Sequence, residues 1–277
     1  MIRNPILKVL STFSRHSVKA LLMGGQACIL YGAAEFSRDS DFVVLADKEN
    51  LDLLRSVLRE LQAEVIAVPP LEARYLKKGH AVHFRCGHPD VAGLRIDLMA
   101  VLRGSDPFEA LWDRRQSIRL EGDAEQVLLL SLPDLVQAKK TQRDKDWPMI
   151  RRLLEADYLS AINPSPEKIL FWLRENRTRE ILVRLCQTYA DEAAAIASKR
   201  PAVAAALSGD SDRVAASLVQ EEAEERRRDT AYWKPLRKEL ELLRRGTRTR
   251  ATHKSPQTPY PPNHGRPKPT PPHPQPP

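Results

Sequence analysis

Apolar positions in the front half of the chain fall into two alternating patterns. Short continuous runs occur at Lys19-Ala20-Leu21-Leu22-Met23, Phe42-Val43-Val44-Leu45, Glu64-Val65-Ile66-Ala67-Val68, Ala81-Val82-His83-Phe84 and Leu94-Arg95-Ile96-Asp97-Leu98-Met99. Their length predicts strands. Between them, residues 2–14 and 26–33 read as short helices, and Leu51, Leu54, Leu58 and Leu61 repeat at three and four, which predicts an amphipathic helix. Strand and helix alternate as in an α/β sheet. The polar turn Gly87-His88-Pro89-Asp90 joins two of the strands. From Pro133 onward the periodicity turns helical, through residues 169–173, 181–185 and the charged stretch from Asp212 to Arg245. In that stretch Glu221 to Arg228 have the order that favours ion pairs between residues four apart, and Pro235 is expected to kink or break the helix near Trp233.

The informative polar residues interrupt these runs. Asp39 and Asp41 stand at the head of a predicted strand, with thirteen residues between Asp39 and the pair Gly24-Gly25. Positions i and i+2 of a strand face one way, so both carboxylates project from one surface. Two like charges about 4 Å apart repel by several kcal/mol at the effective dielectric of a protein surface, which calls for a proton or a divalent cation. Oxygen donors select Mg²⁺ or Mn²⁺ over zinc. A third carboxylate, Asp97, sits within another strand, and its hairpin with residues 81–84 is placed to bring it beside the first two. A later segment, Leu132 to Arg143, starts with a proline suited to a first helical turn. If helical throughout, it puts Lys139 and Arg143 on one face, with Asp146 next along it.

These residues resemble a known family. The order strand, Gly-Gly, helix, Asp-x-Asp strand and later Asp-bearing strand is similar to the nucleotidyltransferase superfamily related to DNA polymerase β. Gly24-Gly25-Gln26-Ala27 and Phe36-Ser37-Arg38-Asp39-Ser40-Asp41 look most like its minimal bacterial branch containing the AbiEii and AbiGii toxins. The resemblance covers roughly residues 20 to 150. It implies a mixed-sheet nucleotidyltransferase domain over residues 1–131, to which periodicity adds a helical domain over 132–245 and composition a Pro-rich tail over 246–277. It further implies that Gly24, Gly25 and Ser37 pass a nucleoside triphosphate at close range. Asp39, Asp41 and Asp97 then bind Mg²⁺ or Mn²⁺ and serve catalysis, and Lys139, Lys140 and Arg143 meet the phosphates. The acceptor is a tRNA end, another RNA, a protein hydroxyl or a small molecule, and a toxin of this kind has an antitoxin protein as partner. Two positions depart from the branch: Glu35 stands where it often carries Arg, and Ser40 where it is usually apolar. A neighbouring backbone group is expected to satisfy the Ser40 hydroxyl.

Composition adds bounds. With 277 residues, 42% of them hydrophobic, the chain has material for a sizeable core. No run reaches the length of a membrane span and the N-terminus lacks a signal peptide's apolar centre, so a cytoplasmic protein is expected. Cys28, Cys86 and Cys186 are scattered and odd in number, which fits reduced thiols. Of the net charge of +8, seven units lie from Arg244 onward, where there is no acid, so the rest of the chain is nearly neutral. A broad basic footprint for nucleic acid is thereby excluded from the core, leaving a local patch around Lys77, Lys78, Arg85, Lys139 and Arg143. Eleven of the 22 prolines fall between Pro256 and Pro277, which predicts a disordered polyproline II tail.

Competing readings are weaker. His80, His83, Cys86 and His88 offer zinc-friendly donors, but His80 and His83 would face opposite sides of one strand. A glycosyltransferase Asp-x-Asp normally follows a longer nucleotide-binding sheet. A catalytically silent binding module with the same fold is the alternative, and Glu35 is the feature that feeds it.

Overall fold

The computed structural model describes residues 5–34, 36–119 and 126–252. Its centre is a seven-stranded mixed sheet built from β1 (Ala20–Met23), β2 (Asp39–Val44), β3 (Ala63–Val65), β4 (Val82–Cys86), β5 (Arg95–Met99), β6 (Gln116–Arg119) and β7 (Gln126–Leu129), in the order β3-β4-β5-β2-β1-β7-β6. The middle position therefore belongs to β2, the strand that carries Asp39 and Asp41. It runs antiparallel to β1 and parallel to β5. On β2, Phe42, Val43 and Val44 are buried and anchor the strand, and Phe42 stacks on Phe13 of α1 (Pro5–Arg15) at a centroid distance of 4.2 Å.

Around the sheet lie α2 (Gly24–Leu30), α3 (Lys48–Glu60), α4 (Ala73–Lys78) and α5 (Phe108–Asp113). The expected amphipathic helix is α3, which starts three residues before its leucine pattern because Asp47 caps it, accepting from the Asn50 amide at 2.7 Å. Beyond the sheet follow α6 (Leu132–Lys139), α7 (Asp146–Ser160), α8 (Pro166–Glu175), α9 (Arg179–Thr188), α10 (Ala190–Ala197), α11 (Pro201–Leu207) and α12 (Ser211–Thr252). Two apolar cores result. The first runs past residue 131 to take in Leu135, Val136, Ile150 and Leu154, and the second gathers α8 to α11 with Val214 and Leu218 of α12.

Several expectations are corrected. The helix from Leu132 stops at Lys139 rather than running on through Arg143, because the backbone turns at Lys140. There the Lys140 ammonium is drawn to Glu175, 2.9 Å away, and its carbonyl accepts from Arg103 Nη2. Pro235 does not break α12, which continues to Thr252 and so extends into the region expected to be tail. The helix continues past the backbone bond that Pro235 removes, and contacts flank the position: Trp233 Nε1 donates to Asp229 at 3.1 Å, Leu236 is buried, and Glu239 bonds to Lys78 and His80. The tail from residue 253, Glu35 and the segment 120–125 lie outside the described residues. Ser40 is fully buried, yet its hydroxyl finds no partner among the described residues, against the expectation that a backbone group would satisfy it. The sheet shields its neighbouring amides in the ladder, so no local group is left to pair with it.

Cys28, Cys86 and Cys186 are all free and buried. Among the described residues no helix is long and apolar enough to cross a membrane.

Candidate active site

The site begins with register. Asp41 lies directly opposite Asp97 on the parallel neighbour β5, and Asp39 opposite Arg95. Adjacent strands are about 4.8 Å apart, so pairing places the three carboxylates on one patch of the sheet. On its other side β5 pairs with β4, where His83 is the partner of Asp97.

Each carboxylate has a different environment. Asp97 Oδ1 accepts from Arg95 Nε at 2.7 Å and lies 2.8 Å from His83 Nδ1, which is itself 3.0 Å from Arg95 Nη2. Burial pushes the Asp97 carboxyl up, but the hydrogen bonds with His83 and Arg95 bring it below the usual carboxylate range. Asp41 has no such partner, and its carboxyl is pushed up to about 6, first by burial and then by the charge of Asp97. Lys139 and Arg143 counter part of that, and Asp39 adds to it. The Arg95 guanidinium is held more firmly protonated, first by its hydrogen bond to Asp97 and further by the fields of all three aspartates. It is the resident counter-charge of the patch.

The glycines make room for two of these side chains. A Cβ on Gly24 would lie 1.9 Å from Asp41 Oδ2, and one on Gly25 would lie 2.4 Å from Ser37 Oγ. Gly24 also adopts a φ of +69°, which disfavours any side chain. The segment carrying Ser37 is pinned beside the glycines, since Gln26 Nε2 donates to the Ser37 carbonyl at 2.9 Å and Ser37 Oγ to the Asp39 carbonyl at 3.3 Å.

The basic residues reach the site by a route other than one helical face. Lys139 ends α6 and Arg143 lies in the turn that follows, yet both converge on Asp146 at the start of α7, at 3.2 and 2.7 Å. Thr141 Oγ1 adds a bond to Asp146 at 2.6 Å. Burial raises the proton affinity of Asp146, which is 1% exposed, but Lys139, Thr141 and Arg143 together lower its pKa below the usual value. Lys140 goes elsewhere, pairing with Glu175 of α8. Cys28 is buried within the field of Lys139, Asp146 and Asp41, and burial pushes its thiol up to about 11, which removes it as a nucleophile.

Thus Asp39, Asp41 and Asp97 come together with Gly24, Gly25, Ser37, Lys139 and Arg143 around them, and Lys140 stands apart. Sequence reasoning missed Arg95 and His83. The signal for Arg95 was present, because Arg95-x-Asp97 has the same two-residue spacing as Asp39-x-Asp41. The histidines and cysteine of the zinc alternative go separate ways: His80 bonds to Glu239 at 3.1 Å, His83 to Asp97, and His88 Nδ1 accepts from the Asp90 amide at 3.2 Å.

In donor chemistry, Asp39 and Asp41 fit a hard divalent cation, since Asp41 is short of positive partners. Asp97 has one oxygen already committed. Among the described residues no three His, Cys, Asp or Glu side chains are drawn together closely enough to chelate an ion unaided. Water and substrate oxygens would have to complete the shell, as Mg²⁺ commonly requires.

No family model and no curated protein matches this sequence. Among solved structures, an antigenic nucleotidyltransferase-like protein from Paracoccidioides brasiliensis is similar at 17% identity and a TM-score of 0.37, over 74% of this chain and 89% of that chain. A likeness so slight decides neither fold nor chemistry.

Proposed function

We propose that the chain is a metal-dependent nucleotidyltransferase, moving a nucleoside monophosphate from a nucleoside triphosphate to an acceptor hydroxyl with release of pyrophosphate. The observation that carries this reading is the pairing of Asp41 with Asp97 across β2 and β5, beside Asp39 and within the field of Lys139 and Arg143. An acidic patch with a basic rim is what phosphoryl transfer needs, because its catalysis is largely positioning and charge neutralisation.

Asp39 and Asp41 would hold Mg²⁺ or Mn²⁺, which supplies neutralisation of the developing phosphate charge. Lys139 and Arg143 would neutralise the triphosphate from the opposite side. Their present partner, Asp146, keeps them in place and is the group they would share with the incoming phosphates. Asp97 would orient the acceptor hydroxyl through Oδ2. Its lowered proton affinity suits a hydrogen-bond acceptor better than a base that retains the proton. Gly24, Gly25 and Ser37 would keep the approach to Asp41 low enough for a phosphate, while Lys140 would act only at a distance through its pair with Glu175. An antitoxin-type protein partner and an RNA or protein acceptor belong to the same reading.

A second reading, a catalytically silent nucleotide- or protein-binding module, is favoured by one observation: Arg95 already supplies a positive charge to all three aspartates. The experiment that separates them is incubation of the protein with each nucleoside triphosphate labelled at the α-phosphate, Mg²⁺, and a mixture of RNA and cell proteins, beside the Asp39→Ala/Asp41→Ala variant. Label transferred by the wild type alone supports the enzyme. No transfer with any nucleotide by a folded protein, joined to nucleotide binding that survives the double substitution, replaces it with the binding module.

A further inference from the structure

Two side chains of α12, Arg226 and Asp229, grip the turn between α6 and α7. Residues 140–142 lie between Lys139 and Arg143 and form neither helix nor strand. Their backbone groups are taken up from outside the turn: the Gln142 amide donates to Asp229 Oδ2 at 2.9 Å, the Gln142 carbonyl accepts from Arg226 Nη1 at 3.0 Å, and the Lys140 carbonyl accepts from Arg103 Nη2. Arg226 also pairs with Asp144 at 2.6 Å. Asp229 is 2% exposed, and its other oxygen accepts from Arg103 Nε at 3.2 Å. Arg103 stands in the connection that leaves β5, the strand of Asp97. One buried carboxylate on α12 thus joins the exit of the acidic strand to the basic turn.

Asp146 aligns Lys139 and Arg143 with each other and with α7, whereas the bonds of Asp229 reach across to the β5 side. The difference matters most for Arg143. Lys139 ends a helix whose Leu135 and Val136 are buried in the sheet's core, but the Arg143 side chain is 56% exposed, so the backbone of the turn sets where its guanidinium stands. We propose that Asp229 and Arg226 are positioning residues for triphosphate binding, fixing the turn, and Arg143 with it, at the separation from the acidic patch that a polyphosphate chain bridges. That the ligand is a triphosphate rests on the transferase reading above. The separation is stiff, because moving the turn outward strips a hydrogen bond from a buried carboxylate and leaves the Gln142 amide unpaired. Stiffness of this kind is what lets a cation stand ready where the phosphate charge will lie.

The test is isothermal titration calorimetry of the full chain with inorganic tripolyphosphate and Mg²⁺, which leaves base and sugar out of the measurement, beside Mn²⁺ binding without phosphate followed by the free-ion paramagnetic resonance signal. Asp229→Asn keeps the volume of the side chain but sets an amide N–H against either Arg103 or the Gln142 amide. It is expected to weaken tripolyphosphate binding by about tenfold or more and to leave Mn²⁺ affinity unchanged, since Asp39 and Asp41 are placed by the sheet. Arg226→Ala is expected to act the same way, and as the less buried change it carries the test if circular dichroism shows Asp229→Asn unfolded. Val214→Ala opens a cavity in the second core and is expected to lower stability with both affinities kept. Unchanged tripolyphosphate affinity in either folded variant overturns the proposal. An equal weakening by Val214→Ala does so too, as does a joint fall of tripolyphosphate and Mn²⁺ affinity, since either result makes α12 a general support of the fold. Tripolyphosphate binding that depends on Asp229, without nucleotidyl transfer by the wild type, removes the transferase alone. Transfer with the wild-type KM for nucleoside triphosphate in both variants removes the positioning role alone, and a wild type that binds no tripolyphosphate removes both.

Discussion

Gly24 and Asp41 compete for one volume: the Cβ that any other residue would bring to position 24 falls 1.9 Å from Asp41 Oδ2. The carboxylate cannot give way without leaving its place opposite Asp97. Gly24→Ala should therefore lower stability by at least about 1–2 kcal/mol from its left-handed backbone alone, and abolish nucleotidyl transfer through displacement of Asp41. Denaturant unfolding with a transfer assay checks this; a variant with wild-type stability and turnover would show that the contact relaxes freely.

Asp41 has a raised pKa, about 6 against an ordinary 3.8. The folded state holds this proton more tightly than the unfolded state, so the contribution is fully favourable below pH 4 or so and is lost as pH climbs to about 6. Asp41→Asn escapes that loss. It should be more stable than wild type by on the order of 1–2 kcal/mol at about pH 7.5 in EDTA and gain little at about pH 4. Urea unfolding at both pH values decides it, and an equal difference at both would refute the assignment.

Arg95 neutralises what a cation would otherwise occupy. Arg95→Gln should tighten Mn²⁺ binding by about tenfold, or about 1.4 kcal/mol, measured by the loss of the free-ion electron paramagnetic resonance signal. Unchanged affinity, with Asp39→Ala still abolishing binding, would mean that the guanidinium and the ion do not share a field.

Ser40 buries a hydroxyl with no partner. Removing such a group recovers its desolvation penalty, so Ser40→Ala should raise stability by about 1 kcal/mol and the melting temperature by about 2–4 °C. A melting temperature at or below wild type would point to a bound water satisfying the hydroxyl.

How far sequence revealed this arrangement differs by element. β1, β2 and α3 were legible because their apolar spacing matches one period, although the start of α3 at its Asp47 cap lies ahead of the leucine pattern. β6 and β7 were not, since Gln116–Arg119 has three exposed positions and no alternation to read, and the partnership of β7 with β1 is decided across the sheet. Asp39 and Asp41 followed from spacing within one strand. The position of Asp97 opposite Asp41 depends on a parallel pairing between distant segments, which periodicity does not encode. The basic rim was found by a mistaken route: Lys139 and Arg143 do meet near Asp146, through a helix end and a turn rather than along one face.

The long helix α12 has a consequence in time. Residues that build the sheet and its apolar core are all translated by Leu154. Arg103, however, finds Glu225 at 2.9 Å and Asp229 at 3.2 Å, the Gln142 amide donates to Asp229 at 2.9 Å, and His80 meets Glu239 at 3.1 Å. These closing groups leave the ribosome some seventy to eighty-five residues after Leu154. At a synthesis rate of about 5–20 residues per second, the nascent sheet waits several seconds with Arg103 and His80 uncovered. For that interval the chain has its acidic patch but not the strut that finishes it, and a nascent chain halted with its emerged part ending between residues 155 and 225 would be held there.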